Sequence, residues 1–229
     1  MAIDIRVVAA PHEVRAIQRQ RYEIYIEELG YPQRHACYQS RIVAEPMDAV
    51  GVLFGAFEQD RLVASVRVNY GSVAAENGDD PALGEFTALY GLRRFGRWFP
   101  GGISVVTKLM IEPAHRAGTL MARLGLALYI HTRETRPATM FCVIDCVLAL
   151  RSYFQRLGYR QIGPWFQHPA AGLVVPMAFP VYDRKHFEAV RSPLARACPR
   201  HDEISAAWFR SSFVHEPDRW HPAAAAMQP

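Results

Sequence analysis

The stretch Val106-Thr107-Lys108-Leu109-Met110-Ile111-Glu112-Pro113-Ala114-His115-Arg116-Ala117-Gly118-Thr119-Leu120-Met121-Ala122-Arg123-Leu124 decides the fold. Its apolar, partly β-branched start extends back to Ser104 and reads as a buried strand, Ser104 to Ile111, closed by Glu112-Pro113. A short turn containing Arg116 and Gly118 follows. Leu120, Leu124, Leu126, Leu128 and Ile130 then mark a helix from Thr119 to Thr135, with Thr119 as its N-cap. A strand that turns directly into a helix aims the helix's first unpaired N–H groups and the positive end of its dipole into the turn. Such a turn can hold an anion by backbone alone, although an ordinary strand-to-helix connection has the same outline.

Working outward, the chain alternates between two periods. Ile3 to Val8 reads as a strand, and Pro11 opens a helix whose apolar positions Val14, Ile17, Tyr22, Tyr25, Ile26 and Leu29 recur at helical spacing until Gly30. Val52 to Phe57 and Arg61 to Tyr70 read as a hairpin around Glu58-Gln59-Asp60. Residues 71–102 read as an insertion with an aromatic and basic piece, Leu89 to Phe99. Downstream come a strand over Thr139 to Ile144 and a helix over Val147 to Leu157, stopped by Gly158. Strands over Tyr159 to Ile162 and Leu173 to Phe179 and a helix over Asp183 to Val190 complete the pattern. Beyond Ser192 lies an extension with one amphipathic piece, Asp202 to Phe213. Because the hairpin adds antiparallel pairing to a strand-helix-strand chain, the class is α/β with a mixed sheet. One domain over residues 1–195 with an extension over 196–229 accounts for this order.

The 229 residues are 50% apolar and 21% charged with a formal net charge of +4, and a chain of this length buries a core without crosslinks. Four cysteines are too few and too scattered for a disulfide framework. Cys142 and Cys146, with no further ligands at zinc-like spacing, read as small apolar residues of a buried strand, so no metal is expected. The longest apolar runs, Phe141 to Leu150 and Gly172 to Val181, fall short of the ~20 residues of a membrane helix. The first residues lack a secretory pattern, so a cytoplasmic location is expected. Of 26 basic residues only Lys108 and Lys185 are lysines, and the arginines are spread along the whole chain. That distribution speaks against a nucleic-acid footprint and fits a small anionic ligand or an acidic partner.

The pattern strand-Pro113-x-x-Arg116-x-Gly118-helix, followed by a strand and Ser152-Tyr153-Phe154-Gln155-Arg156-Leu157-Gly158-Tyr159, resembles the GNAT superfamily of acyltransferases over roughly residues 1–180. The resemblance implies a mostly antiparallel central sheet flanked by helices. It also implies that Arg116, Gly118 and Thr119 hold a phosphate of the donor, either acyl-CoA or the acyl-phosphopantetheine of an acyl carrier protein. The strand backbone at Leu109 and Ile111 would then face the thioester oxygen. Two departures stand out. The superfamily turn usually reads Arg-x-x-Gly-x-Gly/Ala, whereas here one glycine follows Arg116 by two positions. The tyrosine that would protonate the departing thiolate is replaced by Phe154, which leaves its neighbour Tyr153, about 100° around the helix, as the acid or as a core aromatic.

Arg21, Tyr25, Tyr31, Glu45, Asp48 and Arg67 are similar, in order and near-spacing, to the Arg/aromatic/aromatic/acid/acid/Arg series of the acyl-homoserine-lactone synthases. Arg21 and Tyr25 lie one helical turn apart and share a face. Two carboxylates beside two arginines can order the segment from Tyr31 to Asp48 over a cleft, or take a proton from an attacking amine. Scattered surface ion pairs are the plainer alternative. Those synthases carry Glu-x-x-Arg on the strand before the turn, where this chain has Val105 and Lys108. That turns the resemblance toward the long-chain N-acyl amino acid synthases of the N-acyl tyrosine type. The implied reaction moves a fatty acyl group from a pantetheine thioester to the amine of an amino acid. In that reading Glu45, Asp48 and Tyr153 are catalytic and Arg21, Tyr25, Tyr31, Arg67 and His168 bind substrate. Acyl carrier protein would be the partner, meeting Arg123, Arg151 and Arg156. Leu124, Leu128, Phe95, Trp98 and Phe99 line an acyl tunnel or fill a core. Acetyl-CoA-dependent N-acetylation of a small amine and a non-catalytic acyl-thioester sensor are the alternatives.

Overall fold

The computed structural model describes residues 2–72, 80–84, 86–89, 92, 102–168 and 171–199. In chain order the first strands and helix are β1 (Ile3–Val8), α1 (Pro11–Tyr22), β2 (Ala36–Cys37), β3 (Ile42–Val43), β4 (Val52–Glu58) and β5 (Arg61–Ser72). A single helical turn α2 (Phe86–Leu89), strand β6 (Gly102–Ile111), helix α3 (Leu120–Thr135) and strand β7 (Thr139–Val147) follow. The remainder is α4 (Arg151–Leu157), β8 (Arg160–Gln161), β9 (Phe166–His168), β10 (Gly172–Pro180) and α5 (Arg184–Ala189). The expected fold class holds: a mixed α/β chain with a large, mostly antiparallel sheet and flanking helices. Contacts divide the chain into two compact units, residues 1–69 with 106–128, and residues 70–105 with 129–229.

In the first unit the strand order is β1-β4-β5 and on to the second half of β6. β1 and β4 pair antiparallel from Ile3↔Glu58 to Val8↔Leu53, and β4 pairs β5 from Val52↔Val68 to Glu58↔Arg61. The hairpin turn places Gln59 at φ 49° and Asp60 at φ 66°. Two left-handed residues make a type I′ turn, whose twist matches that of the strands it joins. Pro11 sits at the first position of α1, where its missing N–H leaves no bond unmade. One face of α1 supplies Val14 and the fully buried Ile17 to a core formed with Val8, Leu53, Phe57 and Leu62.

The periodicity predicts a single α-helix to Leu29, but beyond Tyr22 it widens into a π-helical segment, Glu23–Glu28. Leu29 N–H donates to Ile24 O at 3.0 Å and Tyr31 N–H to Tyr25 O at 2.7 Å, while Gly30 at φ +67° turns the chain away. The widened turns bury Ile24 and leave Leu29 45% exposed, a difference the apolar spacing of the sequence does not show. Residues 31–51, between the expected helix and the expected hairpin, carry the small β2–β3 ladder and a 3₁₀ turn, Pro46–Asp48.

In the second unit β7 pairs β10 antiparallel from Val147↔Val174 to Phe141↔Pro180, and β10 also carries β8 and β9. The helix expected from Val147 begins only at Arg151, after a 3₁₀ turn Leu148–Leu150. Tyr129, Phe154, Tyr159, Phe179 and Phe187 form the core, with Tyr159 and Phe179 edge-on at 4.5 Å between ring centres. Cys142 and Cys146 are buried in β7, as their apolar reading predicts. Among the described residues no helix is long and apolar enough to cross a membrane, and no group of three His, Cys, Asp or Glu is placed to hold a metal ion. The expected tunnel aromatics Phe95, Trp98 and Phe99 and the amphipathic piece Asp202 to Phe213 lie outside the described residues.

Candidate active site

Five charged side chains meet in the first unit. α1 delivers Arg21, which is fully buried, and β5 delivers Arg67, exposed by only 1%. Between them stands Asp48, whose Oδ1 and Oδ2 accept from Arg21 Nη1 at 2.9 and 2.8 Å, while Oδ1 also accepts from Arg67 Nη1 at 3.0 Å. Glu45 Oε2 accepts from the same Arg67 Nη1 at 2.7 Å, and its Oε1 lies 2.8 Å from Lys108 Nζ. The 3₁₀ turn fixes the two acids relative to each other. Glu45 N–H donates to Asp48 Oδ2 at 3.1 Å, and Asp48 N–H donates to Glu45 O at 2.9 Å. Behind them Asn69 Nδ2 donates to Met47 O at 3.1 Å and Arg67 Nε donates to Thr107 Oγ1 at 3.2 Å.

Burial alone would raise the Glu45 carboxyl, but Lys108 and Arg67 overcome it and hold the group at about 2. A carboxylate so strongly stabilised in its charged form is a poor proton acceptor near neutral pH. The ion pairs of Glu45 and Asp48 fasten residues 31–51 to α1, β5 and β6. Lys108 was visible in the sequence only as a departure from the resembling series. In the structure it completes the network: Nζ also donates to Gln33 Oε1 at 3.3 Å and lies 4.8 Å from the centre of the Tyr25 ring. Its backbone is left-handed at φ 55° within β6, just before Leu109. Arg21 and Tyr25 both face this cluster, as their helical spacing predicts. Tyr31 is 42% exposed, and its backbone carbonyl accepts from Gln33 Nε2 at 3.3 Å.

The strand-to-helix turn lies in the same unit. Arg116 follows a 3₁₀ turn, Pro113–His115, and α3 starts at Leu120 with its leading amides lacking intrahelical acceptors by construction. Arg116 Nε donates to Ile111 O at 2.9 Å, and its guanidinium forks onto Glu28, with Nη2 to Oε2 at 2.6 Å. That fork ties the end of the π-helical segment to the turn. Arg123 donates to Ile3 O at 2.7 Å, and Leu124 and Leu128 are buried.

Two expected site residues belong to the second unit. Tyr153 on α4 has a buried hydroxyl with no hydrogen-bond partner among the described residues, and burial pushes its pKa up to about 12 against the opposing charge of Arg156. His168 ends β9, paired with Gly172 of β10.

The sequence profile of the N-acyl amino acid synthase FeeM family matches residues 16–179, a span that contains every residue of the charged cluster and the turn. The chain belongs to this family. An L-ornithine N(alpha)-acyltransferase of Rhodobacter capsulatus is 31% identical over 143 residues, 58% of this chain and 53% of that protein, so the chain spans about half the length of the curated relative it matches. Among solved structures, FeeM, an N-acyl amino acid synthase from uncultured soil microbes, superposes with a TM-score of 0.61 at 17% identity, over 86% of this chain and 99% of that one. BjaI, described as a CoA-dependent acyl-homoserine lactone synthase with SAM and isopentyl-CoA, gives 0.61 at 14% identity over 90% and 98% of the two chains. At such identities the superpositions speak for the fold, and the FeeM family assignment rests on the sequence match.

Proposed function

We propose that the protein is an N-acyltransferase that moves a fatty acyl group from a pantetheine thioester, carried by acyl carrier protein or coenzyme A, to the amine of an amino acid. The observation that carries this reading is the buried cluster of Arg21, Arg67, Lys108, Glu45 and Asp48 inside the span matched by the FeeM family. Arg116, Gly118 and Thr119, with the first amides of α3, would receive the donor phosphate. The backbone next to the left-handed Lys108, at Leu109 and Ile111, would face the thioester oxygen as negative charge develops there.

The amine attacks the thioester carbonyl, the C–N bond forms, the C–S bond breaks, and the thiolate takes a proton. Tyr153 holds its proton at any physiological pH and is the proposed donor of it. Replacing it by Phe should lower kcat on the order of 10²-fold with little change in either KM, measured by steady-state acylation. With Glu45 acting as an anchor, the attacking amine deprotonates to solvent. The rate should then climb with pH through the ionisation of the acceptor ammonium, with no earlier plateau set by an enzyme carboxylate. His168 and Tyr31 remain proposed substrate contacts.

The deciding experiment offers the purified protein a long-chain acyl group on acyl carrier protein or on CoA, and acetyl-CoA, each with pooled amino acids, and reads new amides by mass. Long-chain amides support the proposal and name the donor. Product from acetyl-CoA alone refutes it, and binding without turnover converts the protein into a sensor.

A further inference from the structure

The charged cluster holds three cations, Arg21, Arg67 and Lys108, against two anions, Glu45 and Asp48. Its hydrogen bonds are distributed just as unevenly. Each carboxylate oxygen of Asp48 and Glu45 has a cationic partner, whereas Arg21 spends a single nitrogen, Nη1, on both oxygens of Asp48. Its Nε and Nη2 are buried and have no acceptor among the described residues. These two nitrogens form one straight edge of the guanidinium, with parallel N–H bonds spaced to match the two oxygens of a carboxylate. A buried cationic donor without an acceptor is costly, and native structures place such groups where an acceptor arrives.

We propose that the Nε/Nη2 edge of Arg21 binds the α-carboxylate of the acceptor amino acid, so that the enzyme selects amino acids over amines and amides by this one fork. The proposal rests on the acyl transfer proposed above and names the chemical class of its acceptor. A single bound carboxylate supplies both missing features at once, one negative charge and two in-plane acceptors. Arg21 is covered in the structure, with the fastened segment 31–51 bonded to it through Asp48, so entry of the acceptor requires that segment to move. Gln20, the preceding residue, accepts from Ser65 Oγ at 2.7 Å and ties this part of α1 to β5, which keeps the guanidinium in place while the segment moves.

The test needs no variant at first. Wild-type enzyme is given the amino acids, the matching amino acid amides and the matching decarboxylated amines, each with the donor found active above. The proposal expects acids to be preferred over amides at least tenfold in kcat/KM. In Arg21→Lys, which keeps the charge beside Asp48 but lacks the fork, acceptor KM should rise at least tenfold, donor KM should stay within twofold and the preference for acids should collapse. Equal use of amides by the wild type overturns the proposal and leaves the acyltransferase reading standing. A rise in donor KM instead of acceptor KM also overturns it, assigning the edge to the donor phosphate. If no acyl donor is turned over, thermal shift with free amino acids and amides, wild type against Arg21→Lys, separates the two ideas. Carboxylate-dependent stabilisation lost in the variant supports the site without the reaction, and its absence in the wild type refutes both.

Discussion

Lys108 combines a left-handed backbone inside a strand with a largely buried charge, and each of these costs free energy on its own. What offsets them is Glu45, and the pH dependence follows from that pair. Folding lowers the Glu45 pKa from its ordinary 4.5 to about 2, so the carboxylate adds stability above about pH 4.5. That contribution, on the order of 3 kcal/mol, is lost as pH falls through this window toward 2. Lys108→Met removes the strongest influence that lowers Glu45, so the onset of acid unfolding, followed by circular dichroism, should move to higher pH. Arg67→Ala leaves Glu45 and Asp48 buried with fewer partners and should cost about 3–5 kcal/mol in urea unfolding at pH 7. Arg21, Glu45, Asp48 and Arg67 were legible in sequence because their order survives as a pattern. Lys108 was not, since its role depends on a backbone angle and on a partner 63 positions away in the chain.

At the scale of elements, the hairpin and the strand-turn-helix were legible because each is written in local chemistry: alternating β-branched residues, a turn of polar residues, a proline stop. The π-helical segment Glu23–Glu28 was not, because its apolar spacing also satisfies an α-helix. The pieces of residues 31–51 were too short to show any period. Gly51, where this stretch meets β4, is held by close approach. A Cβ there would stand 2.9 Å from Asn69 Nδ2 and 3.0 Å from Met47 O, both part of the clasp that carries the acids. Gly51→Ala should therefore displace the turn, cost about 1–3 kcal/mol in thermal unfolding and raise acceptor KM together. Asp60→Gly, by contrast, places the residue that best tolerates a left-handed backbone at φ 66° in a type I′ turn, and relief of that strain should outweigh the added freedom of the unfolded chain and be read as a rise in Tm.

For the molecule as a whole, fold class and family were within reach of the sequence because the turn at Arg116 and the Arg/aromatic/acid series lie far apart yet agree. The choice between acyl carrier protein and CoA is a matter of surface charge. If Arg123, Arg151 and Arg156 meet an acidic carrier, kcat/KM for the carrier-bound donor should fall steeply between low and physiological salt, while that for acyl-CoA changes less. The first unit is discontinuous, built from residues 1–69 and 106–128. Synthesis from the N-terminus therefore releases Glu45, Asp48 and both arginines well before Lys108 appears. A nascent chain paused after β5 holds two acids and two guanidinium groups but lacks the ammonium that steadies Glu45. The bonds from Lys108 to Glu45 and Gln33 can form only after the intervening 70–105 has left the ribosome, which makes them the last part of this clasp to settle.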